Sequence, residues 1–358
     1  MALSGLTHIY YAFGLFNPNL ADDSLWNINF MEDGTNDVDS LIQEFVSLKK
    51  NNPQLNCFVS IGGWAFSDPG DTQSYWSDVT SSSENRRGFA REVLKTLQKY
   101  GFDGVDLDWE YPAASDRGGK TADTVNYVYL INALREVFDE SGEVYGITFT
   151  LPTSYWYMQY FDIPSMLEAG ADWANLMAYD LHGVWDGNDP YIGSVVGSHT
   201  NLTEIKTSLD LLWRAGVDPS QVAMGMGFYG RSFTLSDPAC IEPGCPFSGP
   251  GNAGPCSNSS GILSYKEITE IIDEEGSELI WNEEAAVKYL IYGGNQWISF
   301  DNAQTFQQKV DYANSVCLGG AMIWAIDQDT YDWQALSALL GQAVDGNDLL
   351  DGGSLSDS

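Results

Sequence analysis

Short apolar runs rich in β-branched and aromatic residues recur along the chain, at 6–13, 55–64, 101–110, 144–152, 171–180, 222–230 and 318–327. Most are almost continuously hydrophobic, the pattern of strands buried on both faces. Helical spacing separates most of them. In 123–140 the apolar residues Val125, Tyr129, Leu130, Leu134 and Val137 recur at that spacing and predict a helix. Strand–helix alternation over this length predicts a parallel sheet, and a closed (β/α)8 TIM barrel fits it best. The interval from about 234 to 296 is too long for a simple crossover. It predicts a small α+β insertion before the last strand. Barrel and insertion together span 1–341, and the polar, acidic stretch 342–358 is expected to be a disordered tail.

One apolar run breaks the pattern. GFDGVDLDWEYP, beginning at Gly101, places Asp103, Asp106, Asp108 and Glu110 among Val105, Leu107 and Trp109. Side chains alternate along a strand, so Asp106, Asp108 and Glu110 share one face, spaced ~6.6 Å apart. Asp103 has the opposite parity and is expected to be structural. Carboxylates this close cannot all ionise cheaply away from water, so at least one pKa should rise. A solvated acidic edge or a calcium site would explain the acids without catalysis. The apolar opposite face argues against both. A carboxyl kept protonated near neutral pH is a general acid, and Glu110 falls at the strand's C-terminal end, where barrel active sites lie.

Composition narrows the partners. The 50 acids against 16 basic residues give a net charge of −34, which disfavours nucleic acid and anionic membranes. No apolar run is long enough to span a membrane. The 12 Trp and 19 Tyr exceed what a core needs and suggest stacking surfaces for a flat ligand. Only three His are present and no cysteine pair has CxxC spacing, so no metal site or cofactor is expected. Cys57 and Cys317 lie in apolar runs and are expected to be buried thiols. Cys240, Cys245 and Cys256 share a Pro/Gly-rich loop that allows one bridge, with Cys240–Cys256 favoured. Gly225–Gly230 satisfies GxGxxG, but no helix pattern follows it, so a dinucleotide site is rejected.

DGVDLDWEYP resembles the DxxDxDxE signature of glycoside hydrolase family 18, the chitinases and their relatives. Ser60–Trp64 (SIGGW) is similar to the family's SxGG strand, and Met177–Asp180 (MAYD) to its MxYD strand. Phe228–Arg231 and Trp324 resemble its later strands. LPTSYWYMQYF, AYDLHGVWD, SHTNLTE and the cysteine loop are similar to fungal chitinases related to the α-subunit of yeast killer toxins. In the family, LTHIxYAF is the second barrel strand, so a first strand is expected ahead of it, where only MALSG stands.

The resemblance implies an endo-acting chitinase that cleaves β-1,4-linked N-acetylglucosamine with retention, the substrate's own acetamido group acting as nucleophile. It assigns catalytic roles to Glu110 as acid, Asp108 and Asp106 as a proton-sharing pair, and Tyr179 as a donor to the acetamido oxygen. It places Trp324 under the reacting sugar, with Trp64 and Trp185 as flanking platforms. Phe13, Tyr111, Met177, Asp180, Tyr229 and Arg231 match wall positions. His182 is expected to be structural. The implied partner is chitin or its oligomers, bound by a monomer. The implied location is extracellular, although MALSGLTHIYYAFGLF lacks a basic start and a small-residue cleavage site. A chitin-binding lectin or a killer-toxin-type subunit with little turnover is the alternative.

Overall fold

The computed structural model describes residues 5–19, 25–30 and 37–344. Most of the stretch expected to be disordered, from 345 onward, lies outside these, as do residues 1–4. The chain forms two compact units, one from Leu3–Asn175 and Ala215–Gln221, the other chiefly from Leu176–Arg214 and Val222–Ser358.

In the first unit the expected strands form a parallel ladder. β1 (His8–Pro18) carries β2 (Trp26–Phe30) antiparallel on its outer half and pairs parallel with β3 (Asn56–Gly62). β3 pairs with β4 (Gly104–Asp108), and β4 with β5 (Gly146–Pro152), both parallel. Val59, Ile61, Val105, Leu107, Ile147 and Phe149 are fully buried, which the continuous hydrophobicity of these strands requires. β1 differs and is half-buried along most of its length. β6 (Trp173–Met177) carries the chain from the first unit into the second.

The second unit pairs β7 (Val222–Gly227) in parallel with the chain's last strand, Gly320–Trp324. A second sheet lies within it, from β8 (Tyr229–Leu235), β9 (Phe247–Pro250), β10 (Ile262–Ser264), β11 (Ile280–Asn282), β12 (Val287–Tyr292) and β13 (Gln296–Phe300), every pairing antiparallel. Its core packs Phe233, Leu235, Phe247, Tyr289 and Trp297 together. The helix Tyr265–Glu275 starts on a capping box between Ser264 and Glu267. β7 passes to β8 through Phe228 alone, so Gly225–Gly230 is a strand-to-strand passage with no helix after it.

Three expectations change. The bridge is Cys240–Cys245, not Cys240–Cys256. The loop folds back so that Cys245 O accepts from Val196 N at 2.8 Å and its side chain joins the core beside Phe247. Cys256 is held elsewhere, its N–H donating to Glu267 Oε1 at 2.7 Å, and its thiol is free and exposed. Cys317 is exposed rather than buried, because it turns the chain in a left-handed conformation (φ 59°) just before the last strand. Cys57 is buried, and burial pushes its thiol up to about 12. The helix over Asp123–Ser141 forms, but its buried stripe runs through Tyr127, Leu130, Ile131, Leu134, Val137 and Phe138. Val125 and Tyr129 lie off that stripe at about half exposure, and Tyr129 instead meets the Arg86 guanidinium at 5.2 Å.

Leu134→Ala should therefore cost about 2–5 kcal/mol of stability. Tyr129→Ala, which loses only an exposed cation–π contact, should cost no more than ~1 kcal/mol. Urea denaturation of the two variants measures the difference.

Candidate active site

In the first unit, β4 projects Asp106 and Asp108 from one face, while Val105 and Leu107 pack on the other. Trp109 continues the apolar side, stacked on Trp76 at 5.5 Å. The sheet register sets Ser60 and Thr148 level with Asp106. Asp106 accepts hydrogen bonds from Ser60 Oγ (2.7 Å), Thr148 Oγ1 (2.6 Å) and Asn175 Nδ2 (3.0 Å). Asp108 accepts one from Thr150 Oγ1 at 2.6 Å. Asp106, Asp108 and Glu110 are exposed by only 3, 6 and 7%, so they face one another in a low-dielectric interior.

The electrostatics follow. Burial raises the pKa of Asp106, and its three hydrogen bonds only partly oppose this. Asp108 is pushed well above the usual carboxylate range, by burial first and then by the charges of Glu110 and Asp106. Both shifts favour the protonated forms of the two aspartates. Tyr10, on β1, is raised by burial and by the Asp106 charge. Five members of this network, Tyr10, Ser60, Thr148, Thr150 and Asn175, escape a sequence reading confined to the acids. The available signal is a lone polar side chain in an otherwise apolar strand, as Ser60 is in CFVSIG and Asn175 in WANLM.

Beyond the strand, the backbone binds the neighbouring loop closely. Gly63 N donates to Asp108 O at 3.0 Å, and a Cβ on Gly62 would lie 2.3 Å from that same oxygen. Only glycine allows the chain to leave β3 here, and this exit delivers Trp64. The Trp64 ring is 50% exposed and meets Tyr111 edge-on at 6.4 Å. Tyr111 is buried and stacks on Tyr157 at 4.3 Å. Burial and then the Glu110 charge push its phenol well up. Phe13, half-buried, lies against Gly63. A further residue of this cluster is Arg117, whose Nε donates to Glu110 O at 3.0 Å. Asp103 stands apart, paired with Lys49 at 2.8 Å and accepting from Cys57 N at 2.7 Å.

The second unit gathers most of the remaining candidates. Asp180 has a left-handed backbone (φ 58°). It accepts from Tyr229 OH at 2.6 Å and from Arg231 Nε and Nη2 at 2.8 and 2.6 Å. Burial favours its neutral form, yet His199 and Arg231 hold its carboxyl well below the usual range. The Arg231 guanidinium also lies 4.9 Å over the exposed Trp185 ring. Asp180, Tyr229, Arg231 and Trp324 line a cavity of about 460 Å³. Tyr179 packs edge-on to Tyr229 at 6.1 Å. Met177 ends β6, half-buried. His182 bridges Asp186 (2.7 Å) and Glu204 (3.0 Å), and despite burial these partners raise its pKa to about 10. Among the described residues no group of three or more His, Cys, Asp or Glu could hold a metal ion, and no helix is long and apolar enough to cross a membrane.

In the first unit the buried carboxylates are followed along the chain by Tyr111, which lies edge-on to the half-exposed Trp64 ring, so groups able to hold a proton and a ring able to stack on a flat apolar face belong to one unit. The sequence profile of "Glycosyl hydrolases family 18" matches residues 1–329, and the chain belongs to that family. It is similar to probable chitinase LysM11 of Penicillium expansum, 32% identical over 90% of this chain and 30% of the relative. Secreted chitinase LysM12 of the same organism is 31% identical over 76% of this chain and 19% of the relative. The chain thus spans less than a third of the length of these two relatives. Among solved structures, an Ostrinia furnacalis Group IV chitinase in complex with allosamidin is 29% identical, with a TM-score of 0.82 over 99% of this chain and 93% of that one. The α/β fold is the one this family uses.

The pKa of Asp108 has a consequence for stability. The unfolded chain releases this proton above the ordinary value of 3.8, whereas the folded chain keeps it. Above 3.8 the unfolded state binds fewer protons, so this group makes stability fall as pH rises. Asp108→Asn should flatten that fall above the ordinary value of 3.8, read as the slope of urea-unfolding free energy against pH.

Proposed function

We propose that this chain is a secreted, endo-acting chitinase of the fungal subgroup related to killer-toxin α-subunits. It hydrolyses β-1,4-linked N-acetylglucosamine polymers with retention. The observation that carries the reading is the buried Asp106–Asp108 ladder with Glu110 at its end. The named chitinases among its relatives favour hydrolysis over mere binding.

Glu110 gives its proton to the bridging oxygen. No second carboxylate need attack, because the sugar's own acetamido oxygen closes on the anomeric carbon and forms an oxazolinium ion. Asp108 orients the acetamido N–H and stabilises that cation, and the proton it shares with Asp106 lets its charge adjust as the cation forms. Water then opens the ring with Glu110 as base, so the configuration is retained. Tyr179 donates to the acetamido oxygen. Trp64, Trp185 and Trp324 are each more than a third exposed, which suits rings that cover the apolar faces of sugars. Phe13, Tyr111, Met177, Asp180, Tyr229 and Arg231 take wall positions. The substrate is chitin or its oligomers, the protein acts as a monomer, and no metal or cofactor takes part.

The test is hydrolysis of chitohexaose by the parent and by Glu110→Gln, with product anomers followed by NMR. The parent should release β-anomers by internal cleavage, and the variant should lose about 10²–10⁴-fold in rate. α-Anomers would contradict the substrate-assisted route, and an active variant would remove Glu110 from it.

A further inference from the structure

The segment after the acidic strand, Pro112–Lys120, turns back sharply on the site. Ser115–Arg117 forms a 3-10 turn, and Gly119 N donates to Ala114 O at 2.8 Å. A Cβ on Gly119 would lie 2.5 Å from Ala114 N, so the turn closes this tightly only around glycine. Asp123 is buried and fixes both ends of the turn. Its Oδ2 accepts from Ala113 N (3.2 Å), Lys120 N (2.6 Å) and Ser77 Oγ (2.7 Å). On the far side Tyr157, the residue stacked on Tyr111, donates to Asp116 at 2.7 Å.

This fold-back drives one side chain inward. Arg117 is 6% exposed, and each of its three guanidinium nitrogens has its own partner. Nε donates to Glu110 O at 3.0 Å, Nη1 to Asp68 Oδ1 at 2.7 Å, and Nη2 to Trp64 O at 2.5 Å. The guanidinium carbon also lies 3.7 Å from the centre of the Trp64 ring. The group therefore covers one face of Trp64 and leaves the ring half exposed for a ligand. A planar fork can meet three acceptors and a ring at once, whereas a lysine ammonium on a flexible stem cannot.

We propose that Arg117 is a positioning residue that locks the proton donor Glu110 and the stacking platform Trp64 into one frame. It touches neither the substrate nor the transferred proton. It acts by fixing the backbone under the acid and the tilt of the ring, so binding of a sugar on Trp64 and aim of the carboxyl are set together. The proposal rests on the functional reading above for its catalytic consequence, but its structural half does not.

The experiment compares the parent with Arg117→Lys, which keeps the charge, and Asp68→Asn, which removes only the outer ion-pair partner. Three kinds of measurement are made: kinetics on chitohexaose (kcat and KM), thermal unfolding, and the Trp64 indole ¹H–¹⁵N resonance, assigned with Trp64→Phe. Arg117→Lys should lower kcat by about 10–100-fold, the cost of a misplacement near 1 Å, and raise KM several-fold. Its Trp64 resonance should move. Asp68→Asn should move all three readings in the same direction by less. If Arg117→Lys keeps kcat and KM within about twofold, the proposal is overturned. It is equally overturned if only the melting temperature drops while kcat per folded molecule, KM and the indole resonance stay put. Should the parent itself cleave nothing, the functional reading fails, and the indole resonance alone decides whether Arg117 sets the platform.

Discussion

Burying carboxylates is the constraint around which the first unit is organised. Asp106 and Asp108 lie in a strand whose other face is fully apolar, and neither can leave the sheet without taking Val105 or Leu107 out of the core. The neighbouring strands answer with a few polar groups set among apolar ones. Ser60 comes from β3, Thr148 and Thr150 from β5, and Asn175 from β6. These bonds reduce the desolvation cost without cancelling it, since both aspartates remain raised. That residual penalty favours the protonated form of each. Register is thereby fixed as well, because a one-residue slip would turn every carboxylate into the apolar layer.

Cations are scarce in this chain, 16 against 50 acids, and two of them are used alike. In each unit an arginine pairs with an aspartate and lies over a tryptophan whose ring is otherwise exposed. In the first unit these are Arg117, Asp68 and Trp64; in the second, Arg231, Asp180 and Trp185. A guanidinium suits both tasks, with in-plane donors for the carboxylate and a flat face for the indole. The platforms are thus held by charge as well as by packing.

Much of this was legible in the sequence. The strands announce themselves by continuous hydrophobicity, and the acids by interrupting it with period two. The candidate aromatics at Trp64, Trp185 and Trp324 fall at or beyond strand ends, where exposure is natural. What stayed hidden depends on contacts between distant segments. The helix stripe over Asp123–Ser141 shifts because Val125 and Tyr129 fit the periodicity yet face outward, where Arg86 meets the Tyr129 ring. Cysteine pairing turned on how one loop packs against Val196 and Phe247, which spacing does not encode. Arg117 looks like any charged loop residue until Gly119 and Asp123 are seen to fold its turn inward.

The central claim is that the aspartate pair holds a proton at a pH where ordinary carboxyls have lost theirs. The most direct measurement is a carboxyl ¹³C NMR titration of aspartate-labelled protein, with Asp106→Asn and Asp108→Asn assigning the two signals. The account predicts that at least the Asp108 signal stays in its protonated position well above the ordinary value of 3.8. If both signals move to the ionised position at or below that value, the pair shares no proton, and the buried ladder does not tune its acids as described.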